Sequence, residues 1–457
     1  MNDINQEIID AVENGENIIF HGPGGCGKSY SIKFIANFFQ SKGKKVYCTA
    51  TTGVAAINLC DSEKKITATT LHSWAGVGTA KLSAQKLFYK VAHSKARERW
   101  EDTDLLIIDE VSMLGAEFMD KLDYIGQNIK HCDKPFGGIQ VLLSGDFLQL
   151  PPVKDEWVFH SHVWNRFNLH PFIFEEPKRY DDLEYFNFLL RIRNGTHTSE
   201  DEKKIRARIK AYSKFLEIVK TNKDNVNIIK PTFIYSKKKD VNQINEFELD
   251  KLEGETIEFI AEDSFTPYNN KARYDYYIEL LEDSIPKAIP LKKGAQIMLK
   301  FNLDTKGGLV NGTRGVVLNI ESERVTVRFI NGKKLIIEKI PWTVEDKDGM
   351  AVRHQIPLLL AWACTNHRVQ STTLDYAVCD LGTNIFCEGQ AYVALSRVRN
   401  LHGLFITEFY PPSIKVNKKA LEYSKTLEEL SRKYNKNFEQ HDSEDSEDTD
   451  FVIDITE

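Results

Sequence analysis

The chain has no apolar run long enough to cross a bilayer and no basic–apolar leader at its start. That excludes a helical membrane protein and predicts a soluble, intracellular one with no membrane partner. Its seven cysteines (Cys26, Cys48, Cys60, Cys132, Cys364, Cys379 and Cys387) never stand as C-x-x-C. Neither a zinc ribbon nor a disulfide framework is therefore expected. Basic residues are missing from 439–457, where nine acids gather, so the formal net charge of −6 hides a net +3 over residues 1–438. A mildly basic body with an acidic tail is compatible with nucleic-acid binding. What is plentiful is apolar surface: 42% of the 457 residues are hydrophobic and 11% aromatic, enough for roughly two to four cored units.

Gly22-Pro-Gly-Gly-Cys-Gly-Lys28-Ser29 fits G-x-x-x-x-G-K-S and lies between an apolar strand (Ile18 to Phe20) and a helical pattern (Tyr30 to Phe39). This is the context of a phosphate loop. Glycines at 22, 25 and 27 let backbone N–H groups converge on phosphate oxygens of ATP, helped by the helix dipole. Lys28 would reach the β- and γ-phosphates, and Ser29 would ligate magnesium. Cys26 within the loop reads as a small loop residue. Downstream, Leu105-Leu-Ile-Ile-Asp109-Glu110 is a buried parallel strand carrying two acids at its carboxyl end. Asp109 would hold magnesium, and Glu110 would orient and deprotonate the attacking water; helix capping is the plainer alternative.

Phe136 to Val153 joins these signals. A strand (Ile139 to Leu143) runs into a Ser-Gly-Asp turn and a Gln149 held by two prolines, at the sheet edge where open α/β sheets bind ligands. Gln149 can sense a γ-phosphate on one side and a second ligand on the other. Gln6, ahead of a helical stretch, offers an amide that could pair with adenine. Thr49 to Ala56, with Thr51 and Gly53, and then Thr70, His72 and Trp74 offer hydroxyls and a ring for a nucleic-acid strand. Trp74 has two readings, a stacking face or core packing. Thr365, His367, Arg368 and Gln370 form a second donor-rich cluster. Arg179 and Arg397 are candidates to reach a γ-phosphate across a cleft, with a surface ion pair as the alternative for each.

Strands alternate with helices from Asn17 to about Ile173, which predicts a parallel α/β domain. Short β-branched strands with Asn-Gly turns over Leu291 to Trp342 predict a small all-β barrel. The α/β pattern resumes at Ile356.

In this order the segments resemble the motifs of superfamily 1B DNA helicases of the petite-integration-frequency (PIF-type) family, relatives of the RecD-type enzymes. Gly22 to Ser29 matches motif I, Thr49 to Ala56 with Thr70 to Trp74 motif Ia, and Asp109-Glu110 motif II. Gly145 to Val153 matches motif III, Arg179 motif IV, Thr365 to Thr373 motif V and Gly389 to Arg399 motif VI. Lys134 to Gln140 resembles the tract that marks this family. The resemblance implies an α/β fold of two RecA-like parallel-sheet domains, with ATP and Mg2+ between them and an SH3-like all-β insertion in the second. The expected units are 1–172 (domain 1A, with a wedge at about 77–100), 173–258 with 346–436 (domain 2A), 259–345 (domain 2B) and an acidic disordered tail, 437–457. Gly389 would belong to the nucleotide site. The implied activity is ATP-dependent 5′-to-3′ unwinding by a monomer on single-stranded DNA and duplex junctions, in replication, repair, recombination or telomere maintenance, in the nucleus or a viral replication compartment. An ATPase acting on RNA or remodelling protein–DNA complexes is the alternative. Two departures stand out: Tyr180 where the family has Gln, and Ser371 where it has Gly. The tail's Phe451 to Thr456, β-prone behind acids, resembles a SUMO-interacting segment; a tail that only limits unspecific DNA contact is the other reading.

Overall fold

A computed structural model describes residues 3–444 except 62–63, 79, 222–228, 236, 270–271, 302, 305–306, 308, 310, 346–348 and 370–371. Gln370 and the Phe451 to Thr456 segment lie outside the described residues.

The first sheet holds β1 (Ile18–His21), β2 (Val46–Ala50), β3 (Ala68–Thr70), β4 (Leu105–Asp109), β5 (Gln140–Gly145) and β6 (His170–Ile173), in the order β3-β2-β4-β5-β1-β6. Every pairing is parallel. β4 is buried throughout, as a strand covered by helices on both faces must be. Helices α1 (Asp3–Glu13), α2 (Lys28–Ser41), α3 (Gly53–Leu59), α4 (Leu71–Ala75), α5 (Ala84–Ala92), α6 (Ala96–Asp102) and α7 (Ala116–Lys130) accompany this sheet. α7 shows why they form: Met119, Leu122, Ile125 and Ile129 fall on one stripe, and that stripe is buried. The basic stretch 81–100, read as helical, is two helices, the first capped by Ser83.

α8 (Leu183–Asn194) leads from β6 into a second parallel sheet. Its strands, in spatial order, are Ala363–Thr365, Thr232–Tyr235, Ala377–Leu381 and Leu404–Phe409. Both α/β sheets expected from the sequence are therefore present. Tyr185 and Leu189 of α8 belong to an apolar core that also takes in Ile32 and Ile35 of α2 and Leu395 of the second lobe. The lobes are thus joined by burial as well as by chain.

Between the second-lobe strands lies an antiparallel sheet ordered Lys334–Ile337, Arg324–Phe329, Arg314–Glu321, Gln296–Leu299 and Leu358–Leu360. It has its own core around Ile297, Val325, Val327 and Phe329. Helix Tyr274–Ser284, ahead of these strands in the chain, packs on the same core through Tyr277 and Leu281. Among the described residues no helix is long and apolar enough to cross a membrane.

Trp74 corrects the stacking reading. It is 2% exposed and packs against Trp100, with ring centroids 4.5 Å apart. A ring enclosed on α4 has no face left for a base. Replacing it should therefore register in stability rather than in recognition. Trp74→Ala is expected to cost about 3–5 kcal/mol in urea unfolding, whereas Trp74→Phe should leave the affinity for single-stranded DNA within twofold in a fluorescence titration.

A candidate nucleotide and nucleic-acid cleft

β1, β4 and β5 are neighbours and parallel, so their carboxyl ends share one edge. The phosphate loop, the Asp109–Glu110 pair and the Asp146 turn all leave from that edge, where α/β sheets bind ligands. A cleft of about 870 Å³ opens there. Gly25, Gly27, Lys28, Ser29, Asp109 and Glu110 line it from the first lobe. Gln149, Arg179 and Arg397 complete it, so nine residues chosen from sequence meet in one place.

Each side chain is held by local geometry. Gly25 has φ +88°, and a Cβ there would stand 2.8 Å from the Cβ of Arg179; its C=O accepts from the Lys178 and Arg179 amides at 2.8 and 3.0 Å. The missing side chain thus lets motif IV close on the loop. Lys28 Nζ donates to the Gly22 and Pro23 carbonyls at 2.6 and 2.8 Å. Asp109 accepts from Ser144 Oγ at 2.8 Å and from the Glu110 amide at 2.9 Å. Ser29 Oγ lies 3.4 Å from its other oxygen. Glu110 sits at φ +56°, a conformation that costs a non-glycine residue energy and is typical of functional positions.

The electrostatics favour an anion beside an acid pair. Burial, and then the charge of Glu110, push Asp109 up to about 6. Burial, and then the like charge of Arg179, bring Arg397 down to about 10. Arg397 is 1% exposed, and its hydrogen bonds go to neutral oxygens: Val393 C=O at 2.6 Å, Val369 C=O at 3.2 Å and Ser396 Oγ. A phosphate would relieve both the burial cost and the repulsion. Arg179 donates to Ser396 C=O at 3.1 Å, across the cleft rather than in a surface ion pair.

Other expected site residues sit elsewhere. Gln6 lies on the exposed face of α1, bonded to Asp10 at 2.9 Å, and does not line the cleft. Gly22 contributes its carbonyl to Lys28 and stays outside the lining. Gly389, expected at the nucleotide, instead lets two backbones touch: at φ +70°, a Cβ there would fall 2.2 Å from the Gln149 carbonyl oxygen. Thr51 Oγ1 donates to the Glu110 carbonyl at 3.0 Å, tying motif Ia to the acid pair, and Gly53 opens onto free space. Thr70 caps α4 through the Ser73 amide at 3.3 Å. His72 stacks on Phe118 at 4.2 Å. Thr365 ends a second-lobe strand, and His367 and Arg368 lie on the short helix Asn366–Val369.

Sequence reasoning missed what lies behind the loop. Arg193 of α8 reaches Asp146 with Nη2–Oδ1 at 2.8 Å and Nε–Oδ2 at 3.1 Å, and both residues are buried. Burial alone would raise Asp146, but the Arg193 guanidinium outweighs it and holds the carboxyl below its ordinary value. Asp146 also accepts from the Leu148 amide at 3.1 Å and Gln149 Nε2 at 3.4 Å, so it aims the motif III glutamine. His21 lies against the same pair, held down to about 3 by burial and then by Arg193. Only the turn acid was visible in the sequence; its partner lies 47 residues away.

Removing one partner of this pair leaves a buried charge. Arg193→Met should cost about 3–5 kcal/mol in urea unfolding, and adding Asp146→Leu should recover most of it; a single-variant cost under about 1 kcal/mol would contradict the pairing. His21 adds a pH term. Its folded pKa lies below the unfolded value, so the unfolded chain binds the proton more readily and stability falls with acid below about 6.5. From pH 6.5 to 5 the loss should be roughly 2 kcal/mol, and unfolding curves of His21→Asn should lack that share.

Residues 1–204 match the family model of a PIF1-like helicase, and residues 283–320 match that of the DNA helicase Pif1 2B domain. The ATP-dependent DNA helicase PIF1 of Xenopus laevis is 35% identical over 427 residues, covering 91% of this chain and 62% of that protein. The chain thus spans less than two thirds of such curated relatives. The crystal structure of the Candida albicans Pif1 helicase superposes with a TM-score of 0.75 at 28% identity, covering 93% of this chain and 99% of that one. The Bacteroides Pif1 helicase in complex with ADP-AlF3 and ssDNA gives 0.62 at 26% identity, over 94% and 97%. With the motifs converging on one cleft between two parallel sheets, the chain belongs to the PIF1-like helicase family.

Proposed function

We propose that this chain is an ATP-driven DNA helicase that moves 5′ to 3′ on single-stranded DNA and opens duplexes. The observation that carries the reading is Arg397: a buried guanidinium from the second lobe, bonded among the described residues to neutral oxygens, beside Arg179 in the cleft that holds Lys28. Three cations from two lobes around one cleft suit a nucleotide triphosphate that draws the lobes together. Glu110 holds and deprotonates the attacking water. Ser29 Oγ and the Asp109 carboxylate form a hard oxygen pair that fits Mg2+, which when bound would neutralise charge on the phosphates. The cost of burying Asp109 as an anion is the chemical sign of that fit.

Movement needs DNA to be held differently in the closed and open cleft. Thr51, bonded to the Glu110 backbone, and Gln149, bonded to Asp146 and touched at its carbonyl by Gly389, can pass the nucleotide state to the strand. The relatives solved with ssDNA and ADP-AlF3 support the pairing of ligands. Leu82 and Tyr89, exposed on and beside α5, suit a wedge at the duplex junction, with domain 1A spanning 1–172 and the inserted 2B domain 259–345. Such a protein works where DNA is copied or repaired, in the nucleus or a viral replication compartment, as a monomer.

The test uses two duplexes, one with a 5′ and one with a 3′ single-stranded tail, supplied with ATP and magnesium. Only the 5′-tailed duplex should unwind, and Lys28→Ala should abolish it. DNA-stimulated hydrolysis without unwinding of either would favour a remodelling ATPase.

A further inference from the structure

The apex of the phosphate loop is gripped from outside by two phenols to which the reading above gives no task. The Gly24 N–H donates to Tyr392 Oη at 3.1 Å. The Gly24 carbonyl lies 3.2 Å from Tyr180 Oη, which is also 3.1 Å from the Ser396 carbonyl. Both rings are buried, at 3% and 6% exposure. They come from separate segments of the chain: Tyr180 follows Arg179, and Tyr392 stands on helix Gln390–Leu395, which delivers Arg397. One residue, Gly24, thus meets motif VI through the N–H of its peptide with Pro23 and motif IV through the carbonyl of its peptide with Gly25.

The geometry has a further consequence. A hydroxyl has one proton to donate, so Tyr180 can serve the Gly24 carbonyl or the Ser396 carbonyl, but not both at once. The Ser396 carbonyl also accepts from Arg179 Nη1 at 3.1 Å. When Arg179 turns from Ser396 to a phosphate, that carbonyl is left to Tyr180. The position of Arg179 and the hold on the loop are then linked through one shared oxygen. Gly24 itself lies where Gln149 Nε2 and Arg397 Nη2 approach, at 3.3 and 3.6 Å from its would-be Cβ. A shift of Gly24 moves the wall those two groups face.

We infer that Tyr180 and Tyr392 are positioning residues that bracket Gly24 through its two flanking peptide groups, so that seating Arg397 and fixing the phosphate loop are a single event. They are not catalytic, because they act through the loop and through Ser396. The coupling rests on the ATPase reading above; the bracket does not.

Tyr180→Phe and Tyr392→Phe keep the rings and remove only the hydroxyls. Hydrogen exchange in a loop peptide spanning 21–28 reads the bracket without any activity. Tyr392→Phe should speed exchange at Gly24 several-fold in the nucleotide-free protein, and unchanged exchange would overturn the bracket. Kinetics read the coupling. Each variant should lower the kcat of DNA-stimulated ATP hydrolysis at least fivefold, while the Kd for a fluorescent ADP analogue stays within twofold. The double variant should be no worse than the poorer single one, since both act on the one residue Gly24. A kcat within twofold of wild type, or equal losses of kcat and ADP affinity, would overturn the coupling. A wild-type protein that hydrolyses no ATP would instead sink the functional reading, while the exchange result still judges the bracket.

Discussion

The buried pair between Asp146 and Arg193 is the constraint on which the rest of the cleft depends. Asp146 leaves the end of β5 and Arg193 stands on the last turn of α8, so one ion pair pins the motif III turn to the helix that starts the second lobe. A fully buried carboxylate needs both its cation and its hydrogen bonds, and here Arg193, the Leu148 amide and Gln149 supply them. Once the turn is fixed, the Gln149 carbonyl presents a surface that only a glycine at 389 can approach. That approach sets where helix Gln390–Leu395 lies, and with it Arg397.

The cleft built on this joint is electrostatically incomplete without a ligand. Arg397 is buried against neutral oxygens and a second guanidinium. Asp109 is buried beside another acid, with its pKa pushed up. Each strain has one sign, and a triphosphate with a divalent cation carries the charges that answer both. Both unfavourable burials line one cleft to which the two lobes contribute.

Sequence alone determined the parts that are local. The phosphate loop, the acid pair on β4 and the motif III turn are short segments whose backbone shape and chemistry sit within a few adjacent residues, so their spacing was enough to name them. The alternating strands and helices likewise declared two parallel α/β sheets, because burial periodicity is a near-neighbour property. What the tertiary structure decided was every choice that depends on a distant partner. Trp74 is an aromatic beside a hydroxyl-rich strand end in either reading; only the packing of α6 against α4 made it core. Gly389 lies against the Gln149 carbonyl, an approach that only the fold brings about. Arg193 carries no local mark, and Tyr392, though inside motif VI, carries none of its contact, since their partners Asp146 and Gly24 lie 47 and 368 residues away. Contacts of that separation are set by how two lobes close on each other, which no periodicity or motif spacing encodes.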